Sequence, residues 1–444
     1  MITFVPQPHL LDSPRGRDWP RLPSAAATGR SAEPPGTVDV AVVGAGPAGL
    51  AVASALWHRG VDDLVVLDRD PRPCRRFFGR IDLLGQRVLR SPYEHHPGVE
   101  GFRDCELMDF ARLHWGLLTP IERHEIRMAQ AGHRSVVPVD VFEAYCDHLA
   151  ASHHITQRSV RAEVRELRPD EDGVTVRTSA GAVQARFVVL CTGEERTPAP
   201  AEWFGPRGRP ANVSYWDEPV PEVSGSLVVV GAGLTAAHLV RSALVARREV
   251  HWVLRESRER YQCADVNSTF FRPEGRSRFG NVGWADRLTL MGQYRRASIM
   301  FEFRPRFAAA EESGQLVMHR GRKVVGITAG LAGRSAVGLA DGGRVFGDAV
   351  KLAIGTTPVL GDAFLPAELA GMRDGWPDLD ERSLAYRRAP RVLAVGAAAG
   401  MVLGPAARNI DGHRFATARV AAAVAEGLGV RQLELESERV VAHV

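Results

Sequence analysis

The residues with the clearest chemistry are glycines. The run G-A-G-P-A-G places Gly44, Gly46 and Gly49 at the three positions of a dinucleotide-binding loop. The first glycine allows a tight turn off a strand, the second lets the backbone approach a pyrophosphate, and the third lets helix and strand pack closely. Unpaired amides and the helix dipole at the start of the following helix favour the anion. Asp68 closes the next strand-like segment, where a carboxylate accepts hydrogen bonds from ribose hydroxyls. A second run, G-A-G-L-T-A, repeats the pattern with Gly231, Gly233 and Thr235, and Ala236 takes the third small position. The strand closing that unit carries Arg255, with Arg258 and Arg260 beyond it, in place of an acid. An arginine pairs with a ribose 2′-phosphate that a carboxylate would repel, so the second loop points to NADPH over NADH. In an arginine-rich chain, Arg255 also reads as an ordinary solvated side chain.

Each loop needs a strand before it and a helix after it. "VDVAVVGAG" is a continuous apolar run suited to a buried parallel strand over 38–46. "PAGLAVASALWHRG" follows as a helix ending at Gly60, and "DLVVLDRD" is the next strand over 63–70. The same strand–loop–helix–strand unit recurs over 226–255, and this duplication decides the architecture. Between the units, a helix over 138–153 precedes three strand-like segments, the second and third separated by a turn, as in a meander. Residues 79–138 lack a clear period. The expected fold class is α/β, with two Rossmann-like domains and the second inserted in a split first domain. The expected boundaries are an irregular arm at 1–36, either disordered or draped over the body, then 37–195, 196–350 and 351–444.

Bulk properties narrow the function classes. The chain has 444 residues and a formal net charge of only +4, which gives no reason to expect nucleic acid as a partner. Among 56 basic residues only Lys323 and Lys351 are lysine, which reads first as genome base composition. The five cysteines (Cys74, Cys105, Cys146, Cys191 and Cys263) are scattered without a C-x-x-C pair or metal-ligand spacing. No apolar leader or membrane span is visible, so a cytoplasmic protein with no membrane partner and no metal is expected.

With these motifs in place, the chain resembles the single-component flavin-dependent monooxygenases that use NADPH, nearest to the ornithine/lysine N-hydroxylase-like branch. The resemblance implies that the first loop holds FAD and the second NADPH. It rests also on "FVVLCTG" with Gly193, on "AVKLAIGTTP", where such chains cross between domains, and on "RVLAVGAAAG" with Gly396, similar to the strand that returns to the flavin. "VLRSPYEHHPG" is similar to a segment the family places near the isoalloxazine, making Arg90 a candidate contact for flavin or NADP. "DVNSTFFRPE" is similar to a segment whose asparagine touches nicotinamide and substrate, making Asn267 a candidate. His95 and His96 are candidate acid–base groups, of which at most one faces the flavin, and Tyr215 and Trp216 could line a pocket. Two departures stand out: Ser268 replaces the family's glutamate, and Asn212 stands where a linker histidine is expected.

The implied reaction uses NADPH and molecular oxygen to oxygenate a small-molecule substrate at nitrogen, sulfur or a carbonyl carbon. The rivals are a ferredoxin-type reductase that passes electrons to a protein, and a non-catalytic nucleotide-binding sensor.

Overall fold

The computed structural model describes residues 7–22, 33–70, 72–98, 106–219, 225–266, 270 and 273–430. After a 3₁₀ turn at Pro8–Asp12 the chain forms β1 (Thr37–Val43), α1 (Pro47–His58), β2 (Leu64–Asp68), α2 (Arg75–Leu83), α3 (Glu106–Leu113), α4 (Pro120–Gln130) and α5 (Val139–Ser152). Strands β3 (Ser159–Arg161), β4 (Val164–Pro169), β5 (Val174–Thr178), β6 (Gly181–Leu190) and β7 (Glu194–Arg196) complete the first pass. The second unit comprises β8 (Val213–Tyr215), β9 (Leu227–Val230), α6 (Leu234–Val245), β10 (Val250–Val253), α7 (Pro273–Gly280), α8 (Trp284–Tyr294), α9 (Arg304–Glu312) and β11 (Leu316–His319). It continues through β12 (Val324–Ala329), β13 (Ser335–Leu339), β14 (Arg344–Gly347) and β15 (Ala349–Leu352), then crosses back by β16 (Thr356–Pro358) to β17 (Ala389–Ala394) and α10 (Ile410–Leu428).

The first sheet has a parallel core ordered β17-β6-β1-β2-β3, with the β4–β5 ribbon joined to β6 as the expected meander. Val40, Ala41 and Val42 are fully buried because α1, α5 and α10 belong to the layers packed around this sheet. That burial on both faces is why the strand reads as an unbroken apolar run. The second sheet is parallel throughout, ordered β8-β15-β9-β10-β11, and β12 to β14 form a separate antiparallel sheet.

Two boundaries differ from expectation. Strand β1 ends at Val43, because Gly44 at φ +104° turns the chain away from the sheet. The return at 350/351 falls inside β15, which pairs on both sides with β8 and β9 and is therefore central to the second sheet. The crossing lies just beyond it, where β7 and β16 pair antiparallel, with Thr356 opposite Arg196 and Pro358 opposite Glu194.

Residues 7–22 of the N-terminal arm are draped over the body. Leu10 and Leu11, at 0% and 1% exposure, enter a core cluster that also holds Leu84 and Val88 from the first unit and Leu239 and Phe303 from the second.

Candidate active site

The first loop is shaped by close backbone approach. A Cβ on Gly44 would run into the carbonyl of Cys191 on the strand end of β6, and one on Gly49 would collide with the carbonyl of Gly44. Gly46 differs: nothing lies near its missing side chain, and it caps α1 without a side-chain hydrogen bond, leaving the first amides to an external acceptor. Asp68 accepts the Ala45 amide at 2.7 Å through Oδ2 and the Asp70 amide at 2.9 Å through Oδ1, so it fixes the loop to the end of β2. Gly193 and Gly396, at φ +66° and +84°, turn the ends of β6 and β17 around the same space.

That space is a cavity of about 610 Å³ running from Gly44 and Asp68 past Gly193 to Gly396 and the start of α10. Leu234, the first residue of the helix after the second loop, also lines it. The residues fit FAD: the open space at Gly46 adjoins a helix start whose first amides are free, and Asp68 lies beside it at the end of β2.

Charged residues close the far end. Arg90 is only 9% exposed and reaches across the unit boundary. It donates to Asp265 Oδ1 at 2.8 Å, to the Gln262 carbonyl at 2.9 Å and to the Ser298 carbonyl and hydroxyl at 3.1 Å each. Burial pushes the Arg90 guanidinium down, while Asp265 opposes the shift. Burial pushes Asp265 up, but Arg295 and Arg90 outweigh it and hold the carboxyl below its usual range. Arg295 lies 3.3 Å from Asp265 and donates to Asn409 Oδ1 at 3.0 Å, joining this network to the N-cap of α10. Arg408 grips Glu194 of β7 and donates to Thr356 of β16 at 2.8 Å, which ties the crossing strands to the cavity floor.

Two histidines face the cavity. His95 Nε2 lies 3.5 Å from Asp411 Oδ1 in the first turn of α10, and Arg276 donates to the other oxygen at 3.2 Å. Burial pushes His95 down despite Asp411, so the ring is neutral near pH 7. His413, one turn into α10, is pushed down by burial to about 4 and is neutral as well. His96, by contrast, is fully buried beside Tyr145, whose hydroxyl bonds Glu106 at 2.9 Å, and plays a packing part.

The second loop repeats the geometry of the first. Gly231 has φ +138°, a Cβ there would strike the Ala353 carbonyl, and Trp252 Nε1 donates to the Gly231 carbonyl at 2.6 Å. Gly233 caps α6, again without a side-chain bond, and Thr235 occupies the first turn. Arg255 points to solvent with 80% of its side chain exposed and Glu256 3.9 Å away. The stronger cationic feature is a concavity of about 510 Å³ lined by Arg258, Arg260, Tyr261, Arg304 and Arg320. Arg320 is held between Glu259 and Glu311, whereas Arg258, Arg260 and Arg304 have no carboxylate partner among the described residues.

Comparison with known proteins bears on this geometry. Residues 37–200 match the family described as FAD binding domain. No curated protein matches the chain in sequence. Among solved structures, an ornithine N-hydroxylase from Kutzneria sp. 744 is 18% identical, with a TM-score of 0.69 over 88% of this chain and 99% of that one. Ornithine hydroxylase from Pseudomonas aeruginosa is 19% identical, with a TM-score of 0.70 over 88% and 100%. A bacillithiol disulfide reductase from Bacillus cereus is 16% identical, with a TM-score of 0.60 over 88% and 99%. The fold is that of the two-dinucleotide flavoenzymes.

Within this flavoenzyme fold, the expected residues divide clearly. Gly44, Gly46, Asp68, Gly193, Gly396, Arg90 and His95 converge on one cavity, with Gly49 packed behind the loop. Trp216 joins them at 6% exposure, with Arg80 over its ring at 5.1 Å, while the Tyr215 hydroxyl turns away to accept the Ala199 amide. Asn267 lies outside the described residues. Asn212 braces the second unit, donating to the Asp348 carbonyl at 2.9 Å and accepting from Ser335 at 2.6 Å. Arg295, Arg304, Arg408 and His413 escaped the sequence reading. The last two sit in "GPAARNIDGHRF", which carries a cavity-facing helix start but reads only as a closing helix.

Proposed function

We propose that the protein is an FAD-dependent monooxygenase that oxidises NADPH and oxygenates a small-molecule substrate, with an amine nitrogen as the atom to test first. The observation that carries this reading is the shared cavity: Leu234 from the second loop lines the same space as Gly44 and Gly46 from the first. Dinucleotides held on these two loops would both reach this cavity, as hydride transfer requires. Bound FAD supplies hydride acceptance and oxygen activation. The balanced reaction for an amine is R–NH₂ + O₂ + NADPH + H⁺ → R–NHOH + H₂O + NADP⁺.

The protein's own part is to bind, orient and exclude water. The start of α1 and Gly46 would hold the FAD pyrophosphate, Asp68 the ribose, and the start of α10 the other end of the cofactor. Arg90, fixed by Asp265 and Ser298, keeps the segment at 262–266 against the cavity, and Asn267 follows directly from it. Neutral His95 holds its Nε2 toward Asp411 and provides a site for a proton at the cavity wall. Leu89 and Trp216 line the cavity and limit water there. Arg258, Arg260 and Arg304 favour NADPH by offering three cations to a 2′-phosphate.

The fold is also that of a disulfide reductase. Against that chemistry, Cys191 at the cavity has its thiol pushed well up by burial, the opposite of a reactive thiolate. The deciding experiment reduces FAD-loaded protein with NADPH without oxygen, then admits oxygen with ornithine, lysine or cadaverine. A product heavier by one oxygen atom, formed in step with NADPH consumed, supports the monooxygenase. Reduction that passes only to disulfides or redox proteins refutes it. Arg260→Ala is expected to weaken NADPH binding by roughly 10-fold while leaving NADH unaffected.

A further inference from the structure

The segment at 8–19 touches both nucleotide-binding units with different chemistry at its two ends. At the first end, Leu10 and Leu11 are buried in a cluster shared by Leu239, Val240 and Phe307 of the second unit and Leu84 and Val88 of the first, and Asp12 bridges two arginines of the second unit. Arg241 of α6 donates to Asp12 Oδ1 at 2.6 Å, and Arg306 of α9 donates to both carboxylate oxygens at 2.7 and 3.1 Å. Partial burial pushes the Asp12 carboxyl up, but the bonds and charges from Arg306 and Arg241 outweigh it and hold it below its usual range. At the other end, Arg15 pairs with Asp82 and Glu143 at 2.7 and 2.8 Å, and Arg17 with Glu122 at 2.6 Å. The Gly16 amide and Trp19 Nε1 each donate to Asp140 at 2.7 Å, and Trp19 stacks on Phe110. These partners belong to α2, α3, α4 and α5 of the first unit.

The contact point is mechanically specific. Arg241 lies two turns into α6, whose first residue, Leu234, lines the cavity. It also donates to the Gly85 carbonyl at 3.3 Å, and its neighbour Ser242 donates to the Leu84 carbonyl at 2.9 Å. Leu84, just beyond α2, lines that cavity as well. Asp12 thus secures the arginine that joins the helix of the second loop to the wall of the first site.

We infer that residues 8–19 form a strap that sets the second nucleotide loop over the flavin cavity, with Asp12 as its positioning residue. This rests on the reading that NADPH occupies the second loop. The strap leaves binding at either loop intact and governs their approach, so its loss acts on hydride transfer and spares affinity.

The test uses full-length, FAD-loaded protein carrying Asp12→Ala, with Asp12→Glu as the conservative companion. Under anaerobic rapid mixing with NADPH, the limiting rate of flavin bleaching in Asp12→Ala is expected to fall roughly 10-fold or more. The NADPH concentration giving half that rate and the FAD dissociation constant stay at wild-type values, and Asp12→Glu restores most of the rate. Amide hydrogen exchange quickens at 81–85 and 236–245. A wild-type bleaching rate, or a slow rate accompanied by lost FAD affinity, overturns the strap. Should NADPH fail to bleach the wild-type protein, the cofactor reading falls and the exchange experiment decides alone. Faster exchange at those two segments then supports the strap, and unchanged exchange overturns it.

Discussion

Gly49 has no room for a side chain in the first loop and Gly231 is held at positive φ in the second, so the two positions predict different failures. Gly49→Ala is expected to abolish FAD binding, because the methyl collides with the Gly44 carbonyl inside the loop itself. Gly231→Ala is expected to leave FAD content intact and to remove NADPH-dependent bleaching, since the strain at φ +138° lies in the second loop alone. Flavin absorbance of the purified variants, before and after NADPH, separates the two. A third residue reports on pH. Glu125 on α4 is buried, accepts the Val136 amide at 2.8 Å and is pushed up to about 7, mainly by burial and further by Glu302 across the unit boundary. A carboxyl raised on folding contributes stability that is complete below its unfolded pKa and lost as pH rises through the folded value. The wild-type protein is therefore expected to lose on the order of 2 kcal/mol between about pH 5 and about pH 8, and Glu125→Gln to flatten that slope in thermal unfolding. The glycines were legible in the sequence because their constraint is local. Glu125, Arg295 and Arg408 were not, because the charged groups that act on them, Glu302, Asp265 and Glu194, stand far away in the chain.

At the scale of elements, strands and helices that carry a period or a glycine stop were readable, including both strand–loop–helix units, the helix at 139–152 and the meander. Residues 79–138 were not, since α3 is short and packs on the arm through Phe110, and α4 packs on the arm and, through Ile121, on the cluster shared with the second unit. One local signal was present. Thr119-Pro-Ile-Glu122 forms a capping box at the start of α4, with the Thr119 amide bonding Glu122 Oε2 at 2.8 Å and the Glu122 amide bonding Thr119 Oγ1 at 3.4 Å. Thr119→Ala is expected to cost about 1 kcal/mol in denaturant unfolding. Glu122→Ala is expected to cost more, because Glu122 also receives Arg17 of the strap at 2.6 Å, and that guanidinium is only 11% exposed. Equal losses in the two variants would argue against any energetic role for the Arg17 pair. The crossing strands show the opposite limit of sequence reading. Three-residue β7 and β16 have no period of their own and acquire their structure only by pairing with each other.

For the whole molecule, duplication of the nucleotide loops was enough to foresee two α/β units, but not how firmly they are joined. Their shared cluster around Leu10, Leu84 and Phe303 and the half-buried Arg90–Asp265 pair make the boundary a packed interior. Unfolding is accordingly expected as one transition rather than two. FAD at about a hundredfold excess over its dissociation constant adds about 3 kcal/mol and raises the midpoint of that single transition. Calorimetry of protein stripped of and reloaded with flavin checks both points. Two separate transitions would mean that the units fold independently.

The antiparallel pairing of β7 with β16 makes the second unit a cassette. Because its entry and exit lie side by side, the segment 197–355 leaves and rejoins the first unit at one place. On the proposed reading, coenzyme preference would travel with that segment and flavin chemistry would stay with the first unit. Compatibility of a graft would be decided at the remote latches, where Asp12 must find its arginines and Arg90 its aspartate.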